Sequence, residues 1–194
     1  KQKFSDVSKF AEILKGSTVI DTVPAVYSLI TEYILENNIT NDFLDVRRVL
    51  IGGDKISDEL INTLFKTFKN AVVTVTYGPT EGTIFCTDIE YSNYHESIRG
   101  AIIGKTFGDA KINVLDDQNK LVPIGVTGEI CIFGPGVSNG YINREQLNNE
   151  KFVKDPFYNE GKFYKTGDLG RRLPDGNIEF IRRKDDQVKI RGYR

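Results

Sequence analysis

Three short β-branched runs, each separated from the next by one amphipathic helical segment, constrain this chain more than any other feature. The runs are "STVIDTV" (17–23), "VRRVLIGG" (46–53) and "AVVTVTY" (71–77). Between them lie "PAVYSLITEYILENN", opened by Pro24 at the position where a helix tolerates proline, and "SDELINTLFKTFKN", with acids in its first turn and lysines in its last. Val26, Leu29, Ile30, Tyr33 and Ile34 form the expected apolar face of the first. An earlier helix in "KFSDVSKFAEILKG" places Phe10, Ile13 and Leu14 at helical spacing and ends at Gly16. Strand, helix, strand, helix, strand predicts a parallel sheet with right-handed crossovers. In such a sheet ligands gather beyond the carboxyl ends of the strands. Three segments sit there: Asp21, the "GGD" of Gly52, Gly53 and Asp54, and "YGPTE", Tyr77 to Glu81.

After about Gly100 the rhythm changes. Short apolar runs ("KINVLD", "GEICIFG", "KFYKTGD", "NIEFI") alternate with turn-forming "DDQN", "PIGVTG" and "LPDG". The second half therefore predicts a small, mostly antiparallel, β-barrel-like subdomain, and the whole an α/β chain. The 194 residues carry a net charge of −1, with no basic stripe for nucleic acid and no long apolar run for a membrane. Cys86, Cys131 and His95 are the only residues of their types, too few for a Cys/His zinc cluster. The cysteines read as small buried apolar residues and His95 as a residue of a polar surface loop.

The motifs carry the chemistry. In "YGPTEGT", Gly78 and Pro79 force a tight turn after the third strand. Tyr77 offers a flat face to a base, the Thr80 hydroxyl can donate to a phosphate oxygen, and Glu81 can hold a hard cation such as Mg2+. The same residues would also serve an ordinary strand-ending turn. The glycines of "GGD" let backbone approach a planar ligand, or simply turn the chain. In "YKTGDLG", Asp168 sits in a glycine-flanked turn, suited to accepting two vicinal ribose hydroxyls or to a structural role. "RRKDDQVKIRGYR" (182–194) interleaves Val188 and Ile190 with Lys189 and Arg191.

Taken in order, "YGPTE", "GEICIFGPGVSNGY", "YKTGDL" and "RRKDDQVKIRG" resemble the core motifs of nonribosomal peptide synthetase adenylation domains, in the superfamily of acyl-CoA synthetases and luciferase. The resemblance implies an ATP-dependent, AMP-forming ligase. An amino acid would be activated as its adenylate, then passed to the phosphopantetheine thiol of a carrier protein. It implies ATP and Mg2+ as cofactors and a cytoplasmic enzyme. Its partners would be a carrier domain and the neighbouring synthetase domains. By the same resemblance Tyr77 stacks on adenine, with Gly53 and Asp54 lining the other face. Thr80 contacts phosphate, Glu81 binds Mg2+, and Asp168 holds the ribose with Arg183 nearby. Asp185 is the hinge of a following small domain. The substrate pocket is implied at Asp21, Leu50, Gly52, Thr76, Ile84 and Phe85. Asp21 would meet a cationic or hydrogen-bond-donating substrate side chain, or else would cap the helix opening at Pro24.

The implied organisation is an incomplete second α/β subdomain over 1–97, a β-barrel subdomain over 98–184 and a hinge with the start of a further subdomain over 185–194. The family's lysine-bearing phosphate loop is expected before Lys1 and its second catalytic lysine after Arg194. The chain thus reads as a core fragment, inactive by itself. Val75 stands where many relatives have Asn, Arg182 where Gly is usual, and Ser138–Asn139 where Ala-Arg is common. Two rivals are a stand-alone acyl or aryl acid ligase and a non-catalytic nucleotide-binding or carrier-docking module.

Overall fold

A computed structural model describes residues 7–94, 98–159 and 161–185. His95 and the run 186–194, with Val188 and Ile190, lie outside them. The chain divides into two compact units. The first takes 7–75, 90–94 and 98–100 of the described residues, and the second takes 76–89, 101–159 and 161–185.

In the first unit, α1 (Val7–Leu14) leads to β1 (Val19–Thr22), α2 (Pro24–Glu36), β2 (Arg48–Gly52), α3 (Asp58–Thr67) and β3 (Val72–Tyr77), whose last two residues enter the second unit. β1 and β2 pair in parallel, with Asp21 opposite Leu50. β3 follows beside β2. The helices fall inside the segments expected for them, but the buried faces of α1 and α2 are rotated. In α1 the inward stripe is Val7, Phe10, Ala11 and Leu14, which leaves Ile13 73% exposed. In α2 it is Tyr27, Ile30, Thr31 and Ile34, and Leu29 is exposed. Tyr27 wins the inward position because its hydroxyl reaches the carbonyls of Ile20 at 2.7 Å and Leu50 at 3.1 Å. The phenol is therefore partnered inside the core, where its ring meets Phe68 edge-on. Ser57 caps α3 by accepting from the Leu60 N–H.

The second unit is antiparallel. Its strands are β4 (Thr87–Tyr91, which ends in the first unit), β5 (Ile102–Thr106), β6 (Lys111–Leu115), β7 (Gly128–Phe133), β8 (Phe152–Lys154), β9 (Lys162–Arg172) and β10 (Ile178–Arg183). A seven-residue helix, α4 (Glu145–Lys151), precedes β8. The path β4-β5-β10-β9-β7-β6 is open, with β8 added on β9. The antiparallel expectation is met by an open sheet rather than a closed barrel. β7 is buried along its whole length. Alternation sends Ile130 and Ile132 into one apolar cluster, with Cys86, Ile112 and Tyr164, and Cys131 and Phe133 into another, with Leu115 and Phe163. Both cysteines are buried and unpaired, as their apolar reading required. The "PDG" turn joins β9 to β10, with Gly176 at φ +88° and Asp175 accepting from the Asn177 N–H.

Candidate functional site

Asp168 does not sit in a turn. It lies inside β9, where the register with β7 shifts between Glu129 and Cys131. A bulge of this kind re-aims side chains. Thr166 anchors it: its hydroxyl donates to the Ile130 carbonyl at 2.7 Å and accepts from the Asp168 N–H at 2.9 Å. Asp168 is buried, at 6% exposure. One oxygen accepts from Tyr77 Oη at 2.6 Å and the other from Arg183 Nη1 at 2.8 Å. A buried carboxylate is costly without partners, and a phenol and a guanidinium supply them here. Gly167 makes room for this, since a Cβ there would stand 2.8 Å from Arg183 Nη2. Burial and the Asp168 charge hold the Tyr77 phenol well above the usual tyrosine range, so it stays a donor.

Arg183 reaches further. Its Nε and Nη2 donate to the two carboxylate oxygens of Asp185, at 2.9 and 2.7 Å. Partial burial works against the guanidinium charge, but Asp185 and Asp168 overcome it and raise its pKa. Tyr77, Asp168, Arg183 and Asp185 thus form one chain of charge-assisted contacts, although the first and last are more than a hundred positions apart.

The segment after Tyr77 folds back on itself. The Cys86 N–H donates to the Tyr77 carbonyl at 2.7 Å, which brings the 84–86 backbone against Gly78. Thr80–Gly82 forms a short 3-10 turn. Thr80 is exposed, whereas Glu81 is 6% exposed. Glu81 is held by the 134–141 loop: Ser138 N–H donates to its carbonyl at 2.8 Å and Tyr141 Oη to its Oε1 at 2.5 Å. Ile84 is 76% exposed, and Phe85 packs its ring 5.2 Å from that of Phe107. Thr76 is half-buried at the end of β3.

In the first unit the expected residues lie at the carboxyl ends of β1 and β2. Asp21 and Leu50 are register partners, and Gly52 ends β2 on the same face as Leu50. Asp21 is exposed, so no burial cost asks for a partner there. Nor does it cap α2, whose N-cap is Val23, with no side-chain cap bond. Gly53 adopts φ +82°, the left-handed region that glycine alone enters freely. Asp54 Oδ1 accepts from the Lys55 N–H at 2.7 Å. A polar surface cleft of about 540 Å³ lies elsewhere, beside Tyr141, Arg144, Asn148 and Lys162, and no residue expected in the site lines it.

The family model described as "AMP-binding enzyme" matches residues 2–142. The chain belongs to the AMP-binding enzyme family. Among curated relatives it is 36% identical over 194 residues to bacitracin synthase 3 of Bacillus licheniformis (100% of this chain, 3% of the relative). It is 43% identical over 150 residues to bacitracin synthase 1 of the same organism (77% and 3%). With gramicidin S synthase 2 of Brevibacillus brevis it shares 39% over 200 residues (99% and 4%). Among solved structures it resembles holo-PA1221, a nonribosomal peptide synthetase protein with adenylation and carrier domains bound to a vinylsulfonamide inhibitor. That likeness has a TM-score of 0.83 at 25% identity, over 97% of this chain and 32% of that one. The likeness to IdnL1, with a TM-score of 0.87 at 24% identity over 96% of this chain and 39% of that one, concerns the fold. The chain is thus an adenylation-type member of the family, spanning a small part of the synthases it matches. Of the residues holding the family motifs together, sequence reading missed Tyr141. It stood in a quoted motif, but nothing local pairs it with a glutamate 60 positions earlier.

Proposed function

We propose that this chain contributes nucleotide and metal contacts to an enzyme that activates an amino acid with ATP and loads the acyl group on a carrier-protein thiol. The observation that carries the reading is the Tyr77–Asp168–Arg183 cluster. Each Asp168 oxygen spends one lone pair on Tyr77 or Arg183. A second remains on each for vicinal ribose hydroxyls, which a carboxylate of this kind accepts. Tyr77 is only partly buried and offers its ring to adenine. By the family resemblance, Gly53 and Asp54 would lend backbone to the nucleotide. Thr80, exposed at the start of its turn, donates to phosphate.

The donor set also suits Mg2+. Among the described residues no group of three or more His, Cys, Asp or Glu could form a metal cage. A single carboxylate is what Mg2+ takes when phosphates and water complete its shell. Glu81 would hold it, and that residue, at 6% exposure, is already largely out of water. When bound, the cation would neutralise charge developing on the phosphates. In the first half-reaction an oxygen of the substrate carboxylate attacks the α-phosphorus, and the bond to pyrophosphate breaks. In the second, the carrier thiol attacks the acyl carbon, and AMP leaves. Asp168 and Thr80 act by positioning, and Asp185, leashed to Arg183, is the hinge that separates the two halves. By the family resemblance alone, Asp21, Leu50, Gly52, Thr76, Ile84 and Phe85 are the residues proposed to meet the amino acid side chain.

ATP–pyrophosphate exchange by the whole protein carrying this chain, with proteinogenic amino acids plus ornithine, tests the reading. Exchange with amino acids that Asp168→Ala reduces by roughly a hundredfold or more supports it. Exchange only with fatty or aryl acids would replace it with the stand-alone ligase. ATP binding by calorimetry without any exchange would leave a non-catalytic module.

A further inference from the structure

Tyr141 is held more carefully than packing demands. Its backbone is clamped from both sides by one side chain: the Tyr141 N–H donates to Asn148 Oδ1 at 2.7 Å, and Asn148 Nδ2 donates to the Tyr141 carbonyl at 2.8 Å. Gly140 yields to this clamp, with φ +128° and no Cβ to strike Asn148 Oδ1, which would lie 2.8 Å away. The ring meets the buried ring of Phe152 edge-on, centroids 5.5 Å apart. The phenol oxygen lies 3.3 Å from Tyr164 Oη and donates to Glu81 Oε1. The same loop fixes the Glu81 backbone through Ser138, and Thr83 Oγ1 donates to the Gly136 carbonyl at 2.7 Å. Phenylalanine would fill the space equally well. Only tyrosine matches a donor to the carboxylate.

We propose that Tyr141, braced by Asn148, is a positioning residue that fixes the Glu81 carboxylate for a divalent cation. The inference rests on the reading of Glu81 as the Mg2+ ligand. A free glutamate side chain has several torsions to immobilise when it takes a cation. Tyr141 freezes the terminal one during folding, so the metal meets a preorganised oxygen. The contact is neutral on the donor side, so it orients the carboxylate without cancelling the charge the cation needs.

Mn2+ serves as the probe. Free Mn2+ is titrated by electron paramagnetic resonance against the whole protein with α,β-methylene-ATP, in which the bond to be broken is blocked. Tyr141→Phe is expected to weaken Mn2+ binding roughly tenfold, the loss of one charge-assisted hydrogen bond. Asn148→Ser, which loosens the brace but keeps the phenol, should give a smaller loss in the same direction. Thermal unfolding of each variant shows whether it folds, and either one folded decides the matter. Glu81→Gln separates the layers. Weakened Mn2+ binding in Glu81→Gln beside wild-type binding in folded Tyr141→Phe, or in Asn148→Ser where Tyr141→Phe does not fold, overturns the positioning role alone. Unchanged binding in Glu81→Gln overturns the ligand reading, and the role of Tyr141 with it.

Discussion

Arg183→Met tests whether Asp168 and Arg183 are energetically one unit. Methionine keeps most of the aliphatic stem and removes the charge. The pair is well covered, with the Asp168 side chain 9% and the Arg183 side chain 20% exposed. Breaking a buried pair from one side costs about 3–5 kcal/mol, because the other charge stays behind without its partner. The lower end applies here, since Tyr77 still donates to Asp168 and Arg183 is partly solvated. The expected loss is about 3 kcal/mol, or roughly 6–12 °C in Tm for a protein of this size. The contact to Asp185 adds little, because that carboxylate is 46% exposed. Asp168→Asn keeps an acceptor for Tyr77 but loses the ion pair, at about 2 kcal/mol. The double variant removes both charges together and should cost no more than Arg183→Met alone. That leaves a coupling of about 2 kcal/mol, read by urea unfolding of the four proteins with two optical probes. Strict additivity within about 0.5 kcal/mol would show that the two groups stabilise the fold independently and that the short contacts between them count for nothing.

Burial pushes the Cys86 thiol up from 9.0 to about 11. The native state therefore holds this proton more tightly than the unfolded chain does. The stability it contributes is complete below about pH 9 and falls by about 3 kcal/mol as pH rises to 11. Cys131, Tyr27 and Tyr77 are shifted in the same direction, mainly by burial, so urea midpoints should drop steeply above pH 9. Cys86→Ala should flatten part of that drop, and a flat wild-type profile from pH 8 to 11 would count against the buried assignment. Gly78→Ala should cost about 2–4 kcal/mol, because its Cβ would stand 2.4 Å from Phe85 Cα, against backbone that cannot swing aside. Gly108→Ala, at φ +60° with open space around it, should cost only about 1 kcal/mol, and equal losses at both sites would refute the steric argument.

The parallel half was legible because its signals are local. Pro24 at a helix start, the acids and the lysine at the two ends of α3 and the β-branched runs each report on their own few residues. The rotation of α1 and α2 about their axes was not, because it depends on contacts from elsewhere. Ile13 is as apolar as Leu14, yet Ala11 takes the core, and Tyr27 turns inward to reach carbonyls on two strands. β4 and β5 escaped notice because neither alternates cleanly: Asp88, Glu90 and Lys105 interrupt them. "YKTGDL" was legible as a motif and misleading as a turn. The glycine that suggested a turn instead serves a bulge in an eleven-residue strand.

The loop after Tyr77 shows why the site's shape could not be read from residue types. Thr83 and Ile84 both adopt left-handed backbone, at φ +62° and +58°. Ile84, branched at Cβ, is about the last residue a sequence argument would place there. Each such residue costs on the order of 1–3 kcal/mol and persists only where its surroundings over-determine it. Those surroundings are visible: Thr83 is tied to Gly136, Cys86 to Tyr77, and the intervening Glu81 to Ser138 and Tyr141. The isoleucine side chain gains nothing from the arrangement, since it stands 76% exposed. The strain is therefore not repaid at Ile84. It is repaid along the rest of the loop, where the reversal lays Phe85 and Cys86 against Gly78 and leaves Glu81 facing its tyrosine. Local preference yields here to the placement of one carboxylate, which is the trade that the proposed metal-ligand role of Glu81 requires.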